Sequence, residues 1–394
     1  MRERIAVFLV LAVAVSPLAA QQTPPADVPP VGSVFRGNVQ RTGVYLTRGV
    51  HKIPTIKWKF KVGDKPRDAV WAPPIVAEGT VFVGSVDNRR GTPKYFHALE
   101  IETGKEKWRF TVDGKIDGRA MLGDIQGFPQ YADGMVYFAN EGRTLYALDA
   151  RTGKEVWRRK AGAGDVTVIG PTAYYVGRNG IYAVDAKTGT QKWHHRLPRM
   201  GASTALAFDD DMIYFVNLDG TAYAFDLKAR KVAWTQKTSG GVGGCPIIAA
   251  PAVADGVVYV GSSEQFVALD AKTGRAKWTF KTGQKFYCAP VVAEGTVYIA
   301  NNRGQGGTFL FALDAATGTE KWKFKLASPA WAPPTAADGL IYCCGCSGDL
   351  HAVDMKTGEE KWKFKVQNHV SSPITVVDGV ITFGNWKGWL FALQ

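Results

Sequence analysis

Along most of the chain, short apolar runs alternate with turn residues, and one arrangement returns again and again. Residues 285–325 serve as a specimen. Ala289-Pro290-Val291-Val292-Ala293 is an apolar run suited to a buried inner strand, A. Glu294-Gly295 is a tight turn, and Thr296-Val297-Tyr298-Ile299-Ala300 is strand B. Asp133-Gly134, Asp255-Gly256, Asp338-Gly339 and Asp378-Gly379 fill the same slot elsewhere. Asp-Gly between apolar runs signals a hairpin, because both turn positions need positive φ. A loop leads into strand C at residues 308–313. Asp314 then opens a turn in which Gly318 takes the left-handed position. Strand D, Glu320-Lys321-Trp322-Lys323-Phe324-Lys325, points Trp322 and Phe324 one way and its lysines the other. An outer strand needs this pattern: one face packs, and the lysines discourage edge-to-edge pairing.

The repeat is counted by its tryptophans, at positions 58, 108, 157, 193, 234, 278, 322 and 362, spaced by 36 to 50 residues. A strand-rich period of about 40–45 residues predicts a propeller of four-stranded blades. Two repeats are degraded. Lys228-Ala229-Arg230-Lys231 replaces the Thr-Gly turn in the fourth, and the third has Pro171-Thr172 near its first turn. Both keep the Trp. After Trp362 only three more strands follow, while Thr55-Ile56-Lys57-Trp58-Lys59-Phe60 is a lone D-type strand. The prediction is therefore an all-β, eight-bladed β-propeller over residues 55–394, closed by an N-terminal strand that completes the last blade.

The start of the chain reads differently. Arg2 and Arg4 precede an apolar run from Ile5 to Val15. That run has signal-peptide length and is short for a membrane span. Residues 1–20 are expected to be an export signal cleaved near Ala20. Gln21 stands where a lipidated protein would have Cys, so lipid attachment is not expected. Residues 21–54 are expected to be a flexible, Pro-rich leader and a lead-in segment. The mature chain is expected to be periplasmic or secreted, with no transmembrane segment.

The phrase Ala-Leu-Asp-Ala-Lys-Thr-Gly with its following Trp, and the Asp-Gly-x-Val-Tyr hairpin, resemble the PQQ-like (quinoprotein-type) β-propeller repeats. Phe35-Arg36-Gly37-Asn38-Val39-Gln40-Arg41-Thr42-Gly43 resembles the segment before the first blade in exported members. The resemblance covers roughly residues 35–394. It implies the propeller fold and a structural, blade-docking role for the repeated Trp. It leaves function open between PQQ-dependent dehydrogenases, BamB-like propellers of outer-membrane assembly, and exported or kinase-linked propellers without assigned chemistry.

The net charge of +13 suggests an anionic partner until its position is considered. The eight residues around each repeat Trp together hold 24 of the 48 Lys and Arg and a net +19, leaving −6 for the rest. The charge thus belongs to the outer strands, where edge protection and solubility account for it. Contact with an anionic envelope surface is the alternative. Nucleic acid is not expected for an exported chain.

Candidate chemistry is sparse. The five cysteines, Cys245, Cys288, Cys343, Cys344 and Cys346, are disulfide candidates in an exported protein. The resemblance offers a vicinal bridge between Cys343 and Cys344 beside a cofactor. An extended strand opposes one, because successive side chains point to opposite faces. Cys-Cys-Gly-Cys lacks zinc spacing, and no metal site is expected. Trp71, Tyr287 and Trp331 share a slot at the start of strand A, on the face formed by the D–A and B–C loops. They could stack a flat ligand at the axial mouth or plug it. The same face carries Arg67, Arg89, Arg90, Arg119 and Arg303 on long loops, where a partner could bind. No catalytic constellation emerges. The expectation is a monomeric, non-enzymatic module for protein partners on the loop face, with no cofactor. The alternative is an oxidoreductase holding PQQ with calcium at the axial mouth.

Overall fold

The computed structural model describes residues 34–63, 68–86, 94–112, 125, 127–140, 144–160, 165–177, 179–197, 205–238, 250–283, 285–286, 288–301, 307–366, 368–370 and 372–394, with backbone alone at 115–116 and 119–120. Strands and turns make up these residues, and none of them lies in a helix long and apolar enough to cross a membrane. Eight sheets form the blades, seven of them around four strands in sequence order and the eighth from both ends of the described chain. Blades 1 to 7 span residues 75–112, 130–160, 167–196, 207–237, 252–280, 291–326 and 335–365. Blade 8 takes its inner three strands from Thr375–Val377, Val380–Gly384 and Trp389–Leu393. Its outer strand is Ile56–Lys61, antiparallel to Trp389–Leu393, with Trp58 opposite Ala392 and Phe60 opposite Leu390. The predicted closure is therefore present, and blades 8 and 1 meet through their inner strands.

The A–B turns adopt the conformation that their sequence demands. Glu294 and Gly295 have φ of 48° and 66°, and Asp133-Gly134, Asp255-Gly256, Asp338-Gly339 and Asp378-Gly379 repeat it. Blade 3 uses Gly170 at φ 50°, and blade 4 uses Asp210 at φ 48°. All eight turns open on one face, the hairpin face, which the C–D turns share.

The repeated Trp joins each blade to the next. Trp58, Trp108, Trp157, Trp234, Trp278 and Trp322 donate their indole N–H to a backbone carbonyl in the C–D turn of the following blade, at 2.7 to 3.1 Å. Over the indole lies that turn's glycine. A Cβ on Gly104, Gly153, Gly189, Gly274, Gly318 or Gly358 would approach within 2.7 Å of the ring. Glycine is thus needed twice, for positive φ and for contact. In degraded blade 4, Arg230 takes the glycine's place at φ 49° and lays its guanidinium over Trp193 at 5.6 Å.

Charge follows the predicted placement. Lysines of strand D face solvent and reach the aspartate of their own C–D turn, as in Lys192–Asp185, Lys321–Asp314 and Lys361–Asp354 at 3.3 to 3.4 Å. Such exposed pairs contribute little to stability.

The two kinds of turn glycine make a paired test. Gly295→Ala meets open space and bears only the φ strain, about 1 kcal/mol. Gly318→Ala adds a Cβ 2.6 Å from Trp278 and is expected to lose at least about twice as much. Urea unfolding midpoints of the two variants check the ordering.

Candidate functional site

A propeller's inner strands each leave one edge unpaired, facing the axial channel. Buried N–H and C=O groups there need partners. In this chain residues 34–50 supply them. Val34 bridges to Gln130 of blade 2. The amides of Phe208, Val253, Val292 and Ala336, on the inner strands of blades 4 to 7, donate to the carbonyls of Val39, Gln40, Thr42 and Gly43 at 2.8 to 3.0 Å. Val44–Tyr45 then runs parallel to Thr335–Ala337 as a fifth strand of blade 7. Of residues 21–54, placed outside the propeller by the sequence reading, those described thread its axis from the loop face to the hairpin face.

Two arginines fix this segment, and both are fully buried. Arg36 donates Nε to Arg41 O at 3.2 Å and Nη1 to Pro334 O at 3.0 Å, and Nη2 to Pro290 O. Arg41 donates Nε to Leu206 O at 3.0 Å, Nη1 to Phe35 O at 2.7 Å and Nη2 to Thr167 Oγ1 at 2.8 Å. Burial lowers both guanidinium pKa values to about 10, still far above neutrality. Both residues have positive φ, at 65° and 60°, as do Gly37 and Gly43. The segment therefore coils tightly. At Gly37 a Cβ would run into the carbonyl of Val44.

On the loop-face side, Phe35 stacks on Phe128 with centroids 3.7 Å apart, packed among Ala205, Ala250 and Ala289. Asp165 sits beside them, buried. Its Oδ1 accepts from the Phe128 amide at 2.8 Å, and its Oδ2 has no partner. Burial pushes this carboxyl up to about 6, against the opposing pull of the Phe128 amide and Arg41.

The predicted site residues are distributed as follows. Trp71 and Trp331 are half-buried on the D–A loops of blades 1 and 7, and the Trp71 Nε1 is buried without a partner. Tyr287, Arg67, Arg89, Arg90, Arg303 and Cys245 lie outside the described residues. Arg119 belongs to a small hairpin, Lys115–Ile116 with Arg119–Ala120, between blades 1 and 2. Cys343 and Cys344 are free thiols on Leu340–Cys344. Cys343 packs toward blade 6 and Cys344 toward blade 8, as alternation on a strand requires. Burial raises both thiols well above their ordinary range, which keeps them unreactive. Cys288 lies with its Sγ 3.4 Å from the carbonyls of Ala330 and Trp331, and Cys346 is partly exposed. Among the described residues no three His, Cys, Asp or Glu groups converge to hold a metal ion.

The sequence reading took the Phe35–Gly43 motif as a lead-in to the first blade, and it missed Asp165. It also missed two buried histidines paired with more exposed glutamates, His97–Glu106 at 2.7 Å and His351–Glu360 at 2.5 Å. Both histidines occupy a slot that blades 2, 3 and 4 fill with Tyr, blades 6 and 8 with Phe, and blade 5 with Val267. Their sequence signal is a His three residues before the turn acid, at Glu100 and Asp354, with a Glu on strand D.

Asp165 gives a pH test. Its folded pKa is raised from 3.8 to about 6, so the folded state holds the proton more tightly. The stability it contributes is full below about pH 4 and is lost as pH rises to about 6. Asp165→Asn is expected to remove this decline, leaving a flatter stability curve than wild type between those limits. Urea unfolding of both proteins across the range reads the difference.

Comparison with known proteins fits this architecture. The family model described as "Outer membrane protein assembly factor BamB" matches residues 55–177, 162–245, 242–310 and 310–393. The crystal structure of BamB from Moraxella catarrhalis superposes with a TM-score of 0.64 at 16% identity, covering 87% of this chain and 98% of that one. A europium-containing methanol dehydrogenase superposes with a TM-score of 0.72 at 15% identity, covering 92% of this chain and 98% of that one. At such identities the likeness is one of fold. The quinoprotein ethanol dehydrogenase of Pseudomonas aeruginosa is 28% identical over 130 residues, 32% of this chain and 20% of that protein. The chain spans only 10% to 20% of the length of the curated relatives it matches. Repeat, closure and family match agree: the chain belongs to the BamB family of PQQ-like β-propellers.

Proposed function

We propose that this protein is an exported, non-enzymatic propeller that binds protein partners, in the manner of an envelope-assembly scaffold. One observation carries the reading: the axial channel is filled by the chain's own residues 34–45. A quinone on the axis would need open depth beneath Trp71 and Trp331, and cations available to its carboxylates. At that depth Phe35 and Phe128 stack, and Arg36 and Arg41 are engaged by protein carbonyls. These residues do not fit the group. Support for export comes from the apolar run at residues 5–15, and support for a protein partner from the likeness to BamB. The cationic outer strands remain a surface open to a partner or to an anionic envelope surface.

The competing reading is a PQQ-dependent dehydrogenase. Titration of the purified chain with PQQ and calcium, followed by absorbance and by dye-linked oxidation of alcohol or glucose, separates the two. The expected result is no saturable binding at micromolar PQQ and no turnover. Stoichiometric binding with turnover would overturn the scaffold reading.

A further inference from the structure

The axial segment leaves the channel on the hairpin face, and there it does something unusual. Leu46 is 85% exposed, between Tyr45, which is 2% exposed, and Thr47. It has not been left loose. Thr47 bonds the Asp378 side chain at 3.1 Å, and Arg48 donates to the Asp378 carbonyl at 2.9 Å. Gly49 N then bonds Asp338 at 3.1 Å, and Val50 N bonds the Tyr342 hydroxyl at 2.6 Å. A leucine on so tightly tied a stretch is held in water by its neighbours, where the axial segment leaves the channel. Two more aliphatic side chains on the same stretch, Ile53 at 68% and Ile56 at 50%, are exposed as it runs to the rim.

The surroundings of Leu46 are not neutral. Beyond it, the exposed turn carboxylates of blades 2, 4, 5 and 6 are Asp133, Asp210, Asp255 and Glu294. Among the described residues none of these four is in an ion pair. The carboxylates on the near side are engaged already: Asp338 by His51 at 2.9 Å and Asp378 by Thr47. The cations of this face, Arg151, Lys187, Lys228, Lys272 and Lys356 among them, stand on the C–D turns, farther from the axis than the A–B turns. Carboxylates alone would be an ordinary solvated rim. A pinned, uncovered leucine on the same face as four carboxylates outside any ion pair is a different surface, apolar at one point and anionic along the inner turns.

We propose that the hairpin face is the docking surface for a protein partner, received as a segment that places an apolar side chain over Leu46 and Lys or Arg side chains along the arc from Asp133 to Glu294. The assignment rests on the reading of the chain as a protein-binding propeller, and it moves the partner from the loop face to the opposite one. Charge complementarity selects the occupant: an anionic membrane or glycan would be repelled by this arc, and an acidic peptide likewise. Burial of one leucine supplies the anchor, and the cations supply orientation and encounter.

Fluorescence anisotropy with a short labelled peptide of alternating Lys and Leu tests this on the full mature chain, with a Glu–Leu peptide as the control. The Lys–Leu peptide is expected to saturate, and the Glu–Leu peptide not to bind. Leu46→Ser, at a position with no packing to lose, is expected to weaken binding about tenfold. The double variant Asp210→Asn, Asp255→Asn is expected to weaken it several-fold and to flatten its salt dependence. Trp386→Ala, on the loop face, is expected to leave it unchanged. Equal affinity of Leu46→Ser and wild type, or equal binding of the two peptides, would overturn the proposal. Absence of peptide binding together with absence of PQQ turnover would contradict this face alone; PQQ turnover would contradict the scaffold reading alone.

Discussion

The unpaired inner edges of eight strands are the constraint on which this structure turns. A ring of blades encloses a channel, and each strand A presents amides and carbonyls to it. Here the chain answers with its own backbone. Residues 39, 40, 42 and 43 each accept from a different blade, so one short stretch reads four blades in turn. Carbonyls remain, and these are what Arg36 and Arg41 take. A guanidinium carries five donors fanned in one plane and can tie groups from several elements; a lysine ammonium could not span them in the same way. Proline at 290 and 334 suits this arrangement, since it offers the arginine a carbonyl and leaves no amide behind. Burying two cations without a paired carboxylate is unfavourable unless such bonds are complete, so the motif is expected to tolerate little change.

The same segment also closes the ring at its outer side. Elsewhere each repeat Trp is received by the C–D turn of the next blade. Trp362 has no such turn ahead of it, because blade 8 is built from both ends of the chain. Its indole N–H goes to Val50 O at 2.6 Å instead. Val50 lies five residues after the axial strand and six before Ile56, the start of the outer strand that completes blade 8. Axis and seam are thus held by one continuous stretch, and a disturbance of either reaches the other through the backbone between them. This coupling is also why Leu46 stays where it is: it sits on a link with both ends fixed.

Much of the fold was legible because it is written eight times. Trp58 to Trp362 counted the blades, the acid-Gly pairs located the hairpins, and the lone strand at Ile56 revealed the closure. Each of these signals depends on contacts between residues near in sequence or on a period. The axial segment has neither property. Arg36 meets Pro334 across 298 residues, and its motif occurs once. Nothing local distinguishes such an arginine from one on a solvated leader, so the motif was seen and its place was not. Asp165 escaped for a related reason: a single aspartate in a variable loop looks exposed until Phe128 and Arg41 are found around it. Trp71 and Trp331 were read as an aromatic slot, but what lies beneath them could not be read from the slot.

Amide hydrogen exchange tests the account most directly. The channel-facing amides of Phe208, Val253, Val292 and Ala336 are hydrogen-bonded only if residues 39–43 occupy the axis. The account predicts that these four exchange as slowly as the amides between paired strands of the same blades, and that Arg36→Met speeds all four together. Exchange of these amides at rates typical of exposed loops in the unaltered protein would contradict it.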